Sequence, residues 1–341
     1  MKRRKDGRYL KVVTLNGEKL YFYSSENTER KAERDIQRQI LEFTERQERG
    51  KLFKEIADEW EEYHFPKIEY NTARRYKTFL NYTRKDFENR YIKDIQPKDI
   101  ERHIEYFAMK NYATKTIKDQ LSVVRLVFQY AYIKGYIASD PTQYIVPAKG
   151  AASVTREALT DTQIDIIKNS INCTFGFFAY FILYTGLRKG EALALQYKDI
   201  DLKNKEINIS KSIYYVGNIP HIKTPKTENG IRSVILLDIL SDKLKKGNKN
   251  EYIFSIDGIK PLSASAFQRR WKKYCDETGL IITPHQLRHT YATILFEAGI
   301  DEKDAQHLMG HSDVSITKNI YTHIRSKRLK ETAEKLNTYI H

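Results

Sequence analysis

The stretch Thr185-Gly186-Leu187-Arg188-Lys189-Gly190-Glu191 decides how this chain is read. It closes the run Phe175–Leu187, apolar almost throughout. At about 13 residues the run falls short of the roughly 20 that span a bilayer, so it reads as a buried core helix. Gly186 ends it, and Arg188 starts a second helix that continues through Glu191, Ala192, Leu193 and Leu195. A guanidinium is charged at any biological pH, and its planar fork matches two phosphate oxygens where a lysine would offer only a point charge.

Three further motifs follow in the last part of the chain: His285-Gln286-Leu287-Arg288-His289-Thr290, then Leu308-Met309-Gly310-His311-Ser312, then Tyr321, ten residues past His311. Pro284 opens a helix on which His285 and Arg288 lie one turn apart on one face, bringing an acid/base group and a second guanidinium to one phosphate. His311 sits in a turn where an imidazole can donate to a non-bridging oxygen, an interaction worth roughly 3–4 kcal/mol in a transition state. Tyr321 is the nucleophile of this set: its phenol ionises near pH 10, and two arginines with a general base lower the cost of that ionisation. Two arginines, two histidines and a tyrosine with no acidic cluster describe a site that attacks a phosphodiester covalently without metal. Among 24 tyrosines the nearest rival is Tyr291, but its apolar neighbours make it core packing.

In residue types and order this set resembles the tyrosine recombinases, the family of phage integrases, Cre and the Xer proteins. The resemblance covers the catalytic half by motif and the N-terminal half by architecture. It implies strand cleavage through a 3′-phosphotyrosyl enzyme with a free 5′-hydroxyl, religation without ATP, metal or other cofactor, and four protomers exchanging strands between two duplexes through a Holliday junction. It also implies a lysine on a β-hairpin between the arginine motifs that protonates the leaving 5′-oxygen. The segment Pro225–Arg232 fits that hairpin, making Lys226 the expected acid with Lys223 as the alternative. Glu191 matches an acidic position that orients Arg188 or His285. The gap from His311 to Tyr321 is one residue longer than in several members, so delivery of Tyr321 to its own or a neighbouring active site stays open.

The bulk properties agree with a polyanionic partner. The 341 residues suggest two or three domains, and the formal net charge is +15 with pI about 9.4. The cations are interspersed with acids, as on folded basic faces rather than a tail. Cys173 and Cys275 form neither a metal-ligand spacing nor a disulfide framework, pointing to a reducing cytoplasm. Met1-Lys2-Arg3-Arg4-Lys5 lacks a following apolar stretch, so no secretory signal and no membrane partner are expected.

The expected fold is multidomain and mainly α, with an α+β catalytic domain. Residues 1–50 read as a small three-stranded sheet plus helix 28–47, its hairpins marked by Asp6-Gly7 and Asn16-Gly17. Residues 51–143 read as a helical bundle with helices near 52–65, 70–86, 97–111 and 114–134. Residues 144–158, with Pro147 and Gly150, read as an exposed linker. Residues 159–341 read as mixed: helices at 160–171, 174–185, 188–195, 263–278, 285–298 and 301–309, short strands at 207–209 and 233–235, and an amphipathic helix at 326–338. The resemblance makes these an arm-type DNA-binding domain, a core-binding domain and a mixed α/β catalytic domain. The DNA-binding candidates are Arg3, Arg4, Lys5, Arg8 and Lys11 on the sheet, and Arg74, Arg75 and Lys77 on the bundle.

The partners so implied are double-stranded DNA at core and arm sites, further copies of the chain, and accessory DNA-bending or directionality factors. A type IB topoisomerase shares the chemistry, but the N-terminal sheet favours an integrase of a phage or mobile element. A Xer-like dimer resolvase has no need of residues 1–50, and a non-catalytic regulator has no need of a fully occupied catalytic set.

Overall fold

The computed structural model describes residues 1–15, 18–152, 157–224, 230–310 and 322. The chain forms two compact units, Met1–Val154 and Thr155–His341.

The first unit begins with the antiparallel sheet β1 (Lys2–Arg3), β2 (Tyr9–Leu15) and β3 (Glu18–Ser24), followed by α1 (Glu29–Arg49). Strand side chains alternate between faces. Tyr9 and Val13 pack with Phe22 against Ala32 and Ile36 of α1. Leu10, Val12, Tyr21 and Tyr23 therefore occupy the opposite, open face, where Tyr21 is 56% exposed. The Asn16-Gly17 turn lies outside the described residues.

Four helices follow: α2 (Phe53–His64), α3 (Tyr70–Phe87), α4 (Pro97–Met109) and α5 (Thr114–Ile133). They enclose Phe53, Trp60, Leu80, Phe107, Val124 and Phe128. At the centre sits a polar chain. His103 Nδ1 bonds the Asp86 carboxylate at 2.5 Å, while the Gln120 amide reaches His103 Nε2 at 2.8 Å and Thr83 Oγ1 at 2.9 Å. The stretch read as linker begins as part of this unit: Ile145 is buried, Arg125 holds its carbonyl, and Ala151 exchanges backbone hydrogen bonds with Tyr112 and Thr114.

The second unit contains α6 (Asp161–Asn169), α7 (Gly176–Thr185) and α8 (Lys189–Ala194), then β4 (Ile200–Asp201), β5 (Glu206–Ile209), β6 (Ser212–Val216), β7 (Ile219–Lys223) and β8 (Arg232–Ile235). Helices α9 (Asp238–Ser241), α10 (Ala264–Thr278), α11 (Pro284–Glu297) and α12 (Glu302–Met309) complete its described part. The order β4-β5-β8 makes one antiparallel sheet, and β6 with β7 makes a separate hairpin. As expected from its sequence, α7 is buried, with Phe178 and Phe181 packed among Phe254, Phe267 and Trp271. Helix α11 starts with a reciprocal cap between Thr283 and Gln286 and has Pro284 in its first turn. The expected helix 326–338 lies outside the described residues.

A hairpin lies just before the expected segment. Ser212–Val216 and Ile219–Lys223 form it, with Lys223 opposite Ser212. The segment Pro225–Asn229, which contains Lys226, follows it and lies outside the described residues.

Burial pushes the His103 imidazole below its ordinary value, and the Asp86 carboxylate offsets only part of that. The unfolded chain thus takes up the proton first. Stability should be intact above about pH 6.5 and fall as pH drops from there toward the folded value. Thermal melts between pH 7.5 and 5.5 should show a steeper loss for the wild type than for His103→Gln; parallel curves would contradict this.

Candidate active site

Helix α12 leaves its last carbonyls without helical partners, and the site is built on them. Gly310 follows it with φ +62°, and its amide turns back to the Gln306 and His307 carbonyls. The next three acceptors take arginines. Arg232 Nε donates to Leu308 O at 3.2 Å, Arg288 Nη2 to Met309 O at 2.5 Å, and Arg188 Nη2 to Gly310 O at 2.9 Å.

Each arginine is held from a second side. Arg288 Nη1 donates to Gly186 O at 2.5 Å, and its residue is 3% exposed. Gly186 has φ +65°, and a Cβ there would lie 2.2 Å from the Tyr291 ring, so the bend between α7 and α8 requires glycine. Arg188 stands at the N-terminus of α8: its amide donates to Glu191 Oε2 at 2.9 Å and its Nη1 to Glu191 Oε1 at 2.7 Å. Arg232 Nη2 and Nη1 reach the other lobes of the same carboxylate at 3.0 and 3.3 Å. Glu191 therefore bridges two guanidiniums while 4% exposed.

The electrostatics follow. Burial opposes the Glu191 charge, but the Arg232 hydrogen bonds and the charges of Arg232 and Arg188 outweigh it and hold the carboxyl below the usual range. Burial, followed by repulsion from Arg188, brings Arg288 down to about 9, still a cation at neutral pH. Three guanidiniums stand near one carboxylate, which bonds two of them, leaving an excess of positive charge beside a half-exposed Arg188. Such a place can bind the oxygens of an anion through preorganised donors.

The structure brings together Arg188 and Arg288, with His285 exposed in the first turn of α11, one turn before Arg288. Lys223 ends β7 with its ammonium 5.6 Å from the Tyr214 ring. Lys226, His311 and Tyr321 lie outside the described residues. Tyr291 is buried in the core, as read. Arg232 was missed as a site residue: its sequence position at the end of the Pro225–Arg232 segment gave no hint that it would be 5% exposed.

The other candidates divide by face. Arg4 and Arg8 lie over the Tyr23 ring at 5.4 and 5.3 Å, on the open side of the N-terminal sheet. Lys5 is exposed between them. Two of the sheet candidates lie on the other face. Lys11 lies on the helix-bearing face, bonded to Gln37 of α1, and Arg3 stacks on Tyr9, which packs into that same face. Two-residue alternation fixes both directions once Tyr9 is buried. On the bundle Arg74 is exposed, Arg75 lies 3.7 Å from Asp119, and Lys77 lies 3.1 Å from Glu61. Exposed pairs of this kind are worth about 0–1 kcal/mol, so a phosphate can compete for the cations.

Among the described residues no helix is long and apolar enough to cross a membrane. Residues 152–328 match the model of the phage integrase family, and residues 53–148 that of the phage integrase central domain. A tyrosine recombinase XerC-like protein of Caldanaerobacter subterraneus is 33% identical over 72% of this chain and 71% of its own. The Tn1549 transposon integrase in complex with a circular intermediate DNA shares the fold, with TM-score 0.65 and 22% identity over 82% of this chain and 99% of that one. A lambda integrase tetramer bound to a Holliday junction aligns with TM-score 0.61 and 20% identity over 91% and 94% of the two chains.

Glu191→Ala would leave the Arg232 guanidinium buried without its counter-ion. It should lower the unfolding free energy by about 3–5 kcal/mol in urea titrations, the usual cost of breaking a buried pair from one side. A loss below about 1 kcal/mol would mean that solvent reaches Arg232.

Proposed function

The chain belongs to the phage integrase family, the tyrosine-type site-specific DNA recombinases, and we propose that it integrates and excises a phage or mobile element by cutting and rejoining strands through Tyr321. The observation that carries this reading is the convergence of Arg188 and Arg288 on consecutive carbonyls immediately before His311. Two guanidinium forks from distant motifs meet at one point, next in sequence to the histidine.

In this reading Arg188, Arg288 and His311 hold the non-bridging oxygens of the scissile phosphate. The Tyr321 hydroxyl loses its proton to His285 and its oxygen bonds to phosphorus. The bond from phosphorus to the 5′-oxygen breaks, and Lys226 protonates that oxygen, with Lys223 as the alternative acid. One phosphodiester becomes another, so attack by a partner strand's 5′-hydroxyl reverses the step and frees Tyr321. Four protomers on two duplexes would carry the exchange, as befits a family with a member crystallised as a tetramer on a Holliday junction.

We assign residues 1–50 to arm-type DNA sites, 51–143 to one side of the core site and 159–341 to catalysis. On the N-terminal sheet Arg4, Lys5 and Arg8 would contact phosphates beside the Val12 and Tyr21 face, and Arg74, Arg75 and Lys77 would do so on the bundle. The setting is the cytoplasm.

The test is covalent capture. Protein incubated with genomic fragments in EDTA and then denatured should retain DNA at one or two loci, and Tyr321→Phe should retain none. Scattered adducts would indicate a topoisomerase, and no adducts a non-catalytic regulator. A second expectation concerns salt. Replacing both Arg4 and Arg8 with Ala should weaken arm-DNA binding and reduce the slope of log affinity against log salt by about 2, one per phosphate contact, while core-site affinity holds. An unchanged slope would remove these residues from the interface.

A further inference from the structure

Arg232 touches the site from behind. Its guanidinium spends Nη1 and Nη2 on Glu191 and Nε on Leu308 O. Gly310 lies flat against it: a Cβ there would stand 2.6 Å from the Arg232 Cζ, at a φ that L side chains rarely adopt. Stability alone does not account for such a group. A buried ion pair is often no more stabilising than apolar residues of the same volume, because desolvation offsets the attraction. What the fork does supply is geometry: three donors in one plane connect three separate segments.

These segments matter for the chemistry. Glu191 is the carboxylate that orients Arg188. Leu308 and Gly310 are the backbone entering His311. Arg232 itself opens β8, six residues after Lys226, and β8 is paired in register with β5. One guanidinium thus ties the carboxylate that holds Arg188 and the last turn of α12 to a single sheet strand. We propose that Arg232 is a positioning residue for strand cleavage, fixing the spacing between the Arg188 guanidinium and the backbone that leads into His311. The proposal rests on the recombinase reading above. Lysine cannot replace it, since an ammonium has no planar fork with which to satisfy Glu191 and Leu308 O together.

The experiment is single-turnover cleavage of a nicked core-site duplex, whose small product diffuses away, across a range of protein concentrations. Wild type, Tyr321→Phe, Arg232→Lys and Arg232→Met are compared at equal folded concentration, checked by thermal melts. Arg232→Lys should keep the half-saturating concentration within about twofold, while its limiting rate falls by about 100-fold, the loss expected from a misplacement near 1 Å. Arg232→Met should fall further. A purely structural role would instead reduce the folded fraction or the affinity and leave the limiting rate of the folded protein alone, and that result overturns the proposal. So does a wild-type limiting rate in Arg232→Lys. A wild type that forms no adduct, or a Tyr321→Phe protein that does, overturns the recombinase reading and this proposal with it. Should both Arg232 variants fail to fold, Gly310→Ala keeps every charge and presses on the same contact; it should show the same loss of limiting rate, and an unchanged rate overturns the proposal.

Discussion

The C-terminus of α12 is where charge, hydrogen bonding and chain direction meet. A helix end carries partial negative charge on carbonyls that lack partners, and cations beside it are favoured. Here the Leu308, Met309 and Gly310 carbonyls take arginines from β8, α11 and the start of α8. Hydrogen bonds to a charged group are worth about 1.5–3 kcal/mol each, enough to hold three elements to one short helix. The same contacts fix the backbone of Leu308–Gly310, the residues that immediately precede His311 in sequence.

That arrangement carries its own cost. Burial weighs most on Arg288, and repulsion from Arg188 and Arg232 adds to it, while the Glu191 carboxylate offsets only part. Replacing Glu191 and Arg232 together by apolar residues would ease desolvation but would release the geometry. The surplus positive charge is the feature a phosphodiester would neutralise. The site is therefore preorganised for an anion, and binding one relieves repulsion already present in the folded protein.

The cations of the first unit work under a different balance. Arg75 and Lys77 have only exposed, weak ion pairs, and Arg4 and Arg8 lie over Tyr23 with Asp6 nearby. None is desolvated as Arg288 is, so each can exchange its neighbour for phosphate at little cost. Positions in the buried site are dictated by packing, whereas those on the sheet and bundle are dictated by which face the backbone presents.

Much of this was legible in the sequence because it depends on near neighbours. Helical periodicity gave the bundle and the buried α7 to within a few residues. The Pro284 start placed His285 and Arg288 one turn apart, and Gly186 and Gly310 marked bends where backbone and ring or guanidinium approach too closely for a side chain. Motif order identified the family. The rest depends on pairings between distant residues. Lys11 turned to α1 because Tyr9 took the buried face, and Ser212–Val216 pairs with Ile219–Lys223 in a hairpin that no motif marks. Residues 144–152 joined the bundle through backbone bonds that no composition reveals. Arg232 became part of the site through a carboxylate 41 residues earlier and a carbonyl 76 residues later, contacts that exist only once β5 and β8 are in register and α12 is docked. The sequence by itself determined which chemical groups the protein carries and the local elements that hold them. Only the tertiary structure decided which charges share one buried space, because burial and long-range pairing are properties of the packed chain.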